Sequence, residues 1–238
     1  MNPYAYNDSE FGAFNGFAAD AQLSERVAFI RRTYMHVFAS ILAFVGLEAL
    51  FFTTDLHLAI TQLVGGNWIL ALIGFMVVSF VADKWAHSGG TPGKQYLGLV
   101  LYVVFESVIF VPLLFMAQLQ SPNIIPTAAV LTLMVFGGLT FFVLITKQDF
   151  SFLRNVLAVG FIAALGIMVC SWLFGFGLGI LFVAGMIVLL CGYILYETSN
   201  VLHHYHTDQH VGASLALFSS VATLFWYMIR LLSIFNDD

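Results

Sequence analysis

The sequence predicts an all-α integral membrane protein, and three observations carry that prediction. Hydrophobic residues make up 61% of the 238 positions and charged residues only 9%, against roughly 25% charged in a soluble domain. Mean hydropathy is +0.94. The apolar runs last about 20 residues, the length a helix needs to cross hydrocarbon, and do not alternate over about 10 as barrel strands do. Seven such runs fit the chain, at 34–54, 68–82, 96–117, 124–145, 153–174, 178–197 and 211–234.

Taken in order, residues 1–24 read as a disordered cytoplasmic tail. They mix Gly, Ala, Asn and acids with isolated aromatics and lack the apolar core of a signal peptide. The spaced Phe11, Phe14 and Phe17 leave docking to a partner as the other reading. Residues 25–238 then form one seven-span transmembrane domain, with no room for a soluble one. The first span follows Arg26, Arg31 and Arg32; the second is short for a bilayer and is extended by snorkelling of Lys84. Pro112 is expected to kink the third. Gly175, Gly177 and Gly179 make a tight hairpin between the fifth and sixth, and with no strand before them they are not a phosphate loop.

The basic residues set the orientation. Arg26, Arg31, Arg32, Lys84, Lys94, Lys147 and Arg154 all fall at one side, and the alternate loops hold none. The positive-inside rule places the N-terminus in the cytoplasm and the C-terminus, after seven spans, outside. No basic tract of the kind nucleic acid needs is present, and net charge is -5. Cys170 and Cys191 lie in apolar runs without metal spacing and read as small core residues.

Chemistry then rests on the few polar groups inside the spans. Glu197 closes a run in which Ile180 to Leu195 carries no charge. It sits at the cytoplasmic end of the sixth span, where it either reaches interfacial water or is desolvated with its proton held. Glu48 lies about 21 Å along the first span, Glu106 about 15 Å along the third and Arg230 about 28 Å along the seventh. Arg230 is expected to pair with Glu48, its closer match in depth, with Glu106 as a further partner; the alternative is that it snorkels outward. His203, His204, His206 and His210 crowd the last loop, but only Asp208 is at hand to complete a ligand set, so interfacial histidines are expected and not a metal site. No enzyme is expected. HExxH is absent, and Gly212-Ala213-Ser214 has no histidine in a later span to act as base.

The run Gly192-Tyr-Ile-Leu-Tyr-Glu-Thr at the end of the sixth span resembles the Tyr-Asp-Thr signature of the Bax inhibitor-1 (transmembrane BAX inhibitor motif) family. The Phe-Val-Pro of the third span, the basic link Lys147–Arg154 and the closing Leu-Phe-Trp-Tyr-Met-Ile-Arg-Leu-Leu support it, over the chain from about Ser24 onward. Ending at Asn236-Asp237-Asp238 without a lysine-rich tail, it is most similar to bacterial members, which implies the cell (inner) membrane. The resemblance implies two three-helix layers around a central seventh helix, no cofactor, and a pH-sensitive calcium leak. Some bacterial members instead modulate a membrane-bound AAA protease, so a non-conducting regulator is the alternative. The partners implied are the bilayer, calcium or another cation, and such a protease.

The family's pH sensor is a pair of aspartates sharing a proton. By position they fall on Glu197 and Ser220. Serine in the second place removes the like-charge repulsion of a dyad and leaves burial alone. The family's basic residue ending the second helix is met by Lys84, and its late arginine by Arg230. The early acid of the second helix is replaced by Ala71, a role open to Glu48 or Glu106. Asp83 and the loop histidines are the other candidates for the sensor.

Overall fold

The structure is a computed structural model that describes residues 17–88 and 91–237. Eight helices follow one another: α1 (Leu23–Thr53), α2 (Leu56–Gly66), α3 (Trp68–Ala86), α4 (Pro92–Gln120), α5 (Ile124–Thr146), α6 (Leu153–Phe174), α7 (Ile180–His203) and α8 (His210–Asp237). All but α2 are long and apolar enough to cross a membrane. The short second span runs four residues past the expected end, so that 19 residues cover about 28 Å. Helix α4 opens on Pro92, whose missing N–H is no loss in a first turn, and stays helical through Pro112. A left-handed Gly175 (φ 72°) stops α6 before the glycine hairpin. The apolar α2, an unexpected element, lies between the first two spans.

Two layers form. Helices α1 and α3 pack on α4, and α5 and α6 pack on α7. Helix α8 lies between them, touching α1, α3 and α4 on one side and α5 and α7 on the other. Its sequence explains the central place: Val211, Ala213, Ser214, Leu215, Leu217 and Phe218 are all buried, so no single face is left for lipid. Helix α6 is the opposite case. Only Leu157 and Ala164 are buried on it, while Val156, Val159, Ile162 and Leu165 stand exposed as a lipid-facing stripe.

Edge-to-face rings knit the first layer to α8. Phe44 meets Phe110 at 5.1 Å, and Phe110 meets Trp226 at 5.1 Å. The α3–α4 crossing is close because Gly98 has no side chain: a Cβ there would lie 2.6 Å from the Ala82 carbonyl oxygen. That crossing sets where the end of α3 points.

Of the expected tail, residues 1–16 lie outside the described residues. Residues 17–22 do not float free. The Ala18 N–H donates to the Tyr205 carbonyl (2.8 Å) and Phe17 stacks on His206 at 4.9 Å. Helix α1 begins at Leu23.

Candidate functional site

The cleft forms at the basic end of the bundle, where four pieces of chain meet. Helix α7 presents Tyr193, Glu197 and Asn200 at spacings of four and three, hence on one face. It continues six residues past Glu197 to His203, so this acid lies inside the helix and not at its end as expected. The segment after α5 brings Ser151 and Arg154, and the α7–α8 loop brings His204, Tyr205 and Gln209. With His87, just past the end of α3, and Tyr196, all of these but Tyr193 line a cleft of about 520 Å³.

Glu197 is buried, with 7% of its surface exposed, and its Oε2 has no hydrogen-bond partner. Tyr193 and Asn200 stand beside it, and the charged groups that face it from α3 are His87 and Asp83. Asp83 and His87 are four residues apart, so the imidazole swings back over the carboxylate. His87 Nδ1–H donates to the Asp83 carbonyl (3.0 Å) and reaches its Oδ1 (3.1 Å). That leaves Nε2 as acceptor for the Tyr205 hydroxyl at 3.2 Å, a tie between α3 and the α7–α8 loop. The hydrogen bond to Asp83 pushes the His87 pKa up; burial opposes it, but the charges of Asp83 and Glu197 add to the rise. Burial, then Glu197 and Asp83, push the Tyr205 phenol up, so it stays a neutral donor.

The rim is held by Asp149. Its Oδ1 accepts from the Ser151 N–H (2.9 Å) and the Ser199 hydroxyl (3.3 Å), and its Oδ2 pairs with His204 Nε2 (3.2 Å). Burial pushes the Asp149 carboxyl up, but the bonds from Ser151 and the charge of His204 outweigh it and hold it below its ordinary value.

The expected site residues divide. Asp83 and Glu197 come together. Lys84 is exposed and does not line the cleft; His87, one turn on, takes the place expected of it. Ser220 is buried with its hydroxyl donating to the Ala216 carbonyl of its own helix (2.8 Å), and it too is outside the cleft.

The Arg230–Glu48 pair does not form. Arg230 is exposed near the far end of α8, whereas both Glu48 oxygens are buried without a hydrogen-bond partner. Depth matched the two, but rotation about the helix axes turns the acid inward and the arginine outward. Glu106 is buried beside Tyr102, whose hydroxyl donates to Ser219 Oγ (3.0 Å) on α8, and its Oε2 is likewise unpartnered.

The four loop histidines part company: His203 bonds the Ser199 carbonyl, His204 pairs with Asp149, His206 lies under Phe17, and His210 stands 5.2 Å from His36. His87, Tyr205, Asn200 and Arg154 were missed as cleft residues. The Asp83-x3-His87 spacing was the one signal available for them.

Fold and cleft define a multi-pass α-helical membrane protein with three buried acids, of which Glu197 lines the cleft at the basic end of the bundle. The family model described as inhibitor of apoptosis-promoting Bax1 matches residues 26–237, and the chain belongs to this Bax inhibitor-1 family. It is similar to an uncharacterised protein of Pseudomonas aeruginosa, 30% identical over 227 residues that cover 93% of this chain and 96% of the other. It is also similar to the Golgi anti-apoptotic protein of vaccinia virus strain Lister, at 26% over 94% and 92% of the two chains. Bax inhibitor 1 of Schizosaccharomyces pombe is 26% identical over 92% of this chain and 81% of its own.

Proposed function

We propose that this protein is a cation leak pathway, with calcium the expected ion, entered through the cleft and controlled at Glu197. One observation supports it above the rest: three acids, Glu197, Glu106 and Glu48, are buried with unpartnered oxygens and no Lys or Arg pairs with any of them among the described residues. Buried acids without a basic partner are costly to fold around and mark ion pathways in membrane proteins. Oxygen donors are what calcium takes. The two layers meet over Glu197, and the His87–Tyr205 bond is the latch between them. Seven of eight basic residues at this end support reading it as the cytoplasmic one, and the proposed setting is the inner membrane of a bacterial cell. A reporter active only outside the cytoplasm should then work after Asp238 and be silent after Gly90; the reverse would overturn that orientation.

Purified protein in dye-loaded liposomes should pass calcium faster than protein-free vesicles do, over pH 6 to 8. Folded protein that passes no ion would favour the second reading, a non-conducting membrane regulator.

A further inference from the structure

At the opposite end of the bundle, α4 and α8 enclose a groove of about 400 Å³ lined by Leu113, Met116, Leu119, Gln120, Ser233 and Arg230. Its level is set by a bond from the Gln120 side chain to the Ser233 carbonyl (2.9 Å), which ties the last residue of α4 to α8. Arg230 stands one turn nearer the bilayer centre than Ser233, about 10 Å from the end of α8. It is the one Lys or Arg at this end of the bundle. Among the described residues no carboxylate pairs with it, and none lines the groove. The α4 wall beside it is apolar and open to lipid, with Met116 63% and Leu119 67% exposed.

We propose that this groove is a phospholipid site, in which Arg230 holds the headgroup phosphate and one acyl chain lies along Met116 and Leu113. A guanidinium offers paired N–H donors that match two phosphate oxygens, and does so most strongly away from bulk water. One turn inside the end of α4 is where hydrocarbon gives way to headgroups, so a cation there meets phosphate before it meets water. Charge complementarity selects the ligand. A soluble anion gains nothing from the apolar lane, and a lipid without phosphate gains nothing from Arg230.

Native mass spectrometry of the purified protein, titrated with phosphatidylglycerol, tests this. One phosphatidylglycerol should remain bound, with affinity at least about tenfold lower in Arg230→Gln, since a charge-assisted bidentate contact is lost. Met116→Trp should also weaken retention by blocking the lane with Arg230 intact, and it decides the matter if the arginine variant does not fold. Diacylglycerol of the same chains and free glycerol phosphate should both bind poorly. Retention unchanged in both variants, or equal retention of diacylglycerol, would overturn the site. Glycerol phosphate binding as tightly as the lipid would show a soluble-anion site instead.

Discussion

Replacing Gly212 with alanine should break the His87 latch while leaving the bundle folded. A Cβ at this position on α8 would stand 2.7 Å from His87 Cδ2 and 2.9 Å from Nε2. Carbon contacts are comfortable from about 3.5 Å, so the ring must withdraw by roughly 0.8 Å. The His87–Tyr205 bond is 3.2 Å long, and that displacement directed away from Tyr205 takes it to about 4.0 Å, past hydrogen-bonding range. Losing one such bond costs about 0.5–1.5 kcal/mol. Alanine in a helix recovers about 1 kcal/mol over glycine, so the net change is within about 0.5 kcal/mol of zero, or a few degrees of melting temperature at most. Histidine-labelled NMR in detergent should therefore show the His87 signals moved with the fold intact, and the pH profile of calcium flux should change with them. Unmoved His87 signals together with an unchanged flux profile would refute the latch.

Asp83→Asn should lower the His87 pKa. Because Asp83 raises that pKa in the folded state, its stabilising effect is fully present below the unfolded value of about 6.5. It is lost as pH rises through the folded value. Wild type should thus outlast the variant in detergent melting near pH 5 by more than near pH 9, and a gap that does not change with pH would count against the pairing. Gly98→Ala should cost about 1–3 kcal/mol, since its Cβ would meet backbone atoms at Ala82 and Ala86 that cannot step aside; an unchanged melting temperature would contradict the close α3–α4 crossing. Glu48→Met should leave stability equal or higher because its carboxyl is buried unpartnered, and Arg230→Gln should shift it by less than about 0.5 kcal/mol. A loss of the 3–5 kcal/mol typical of a broken buried pair in either variant would restore the ion pair.

The spans were legible because hydrocarbon imposes length and composition: α6 starts and stops where its apolar run does. The end of α7 was not. Thr198-Ser199-Asn200 reads as a departure from the membrane, yet these residues stay helical because Asn200 turns into the cleft and Ser199 bonds Phe150 and Asp149. Helix α2 is not legible as a span because its 11 residues are too few to cross. Depth can be counted from the sequence, which puts Glu197 at the basic end of the bundle, but rotation cannot. Glu48 and Arg230 match in depth and face different surroundings. His87 lay in plain view four residues after Asp83, but its role depends on the Gly98 crossing that aims α3 at Tyr205, a contact between residues 118 positions apart.

The central claim is that cations pass under the control of Glu197. Calcium entry into liposomes holding equal amounts of folded wild-type and Glu197→Gln protein, followed from pH 6 to 8, tests it most directly. The substitution keeps the shape and removes the titration, so entry should fall several-fold and its pH dependence should flatten. Strong, pH-dependent entry that is the same in both proteins would contradict the claim.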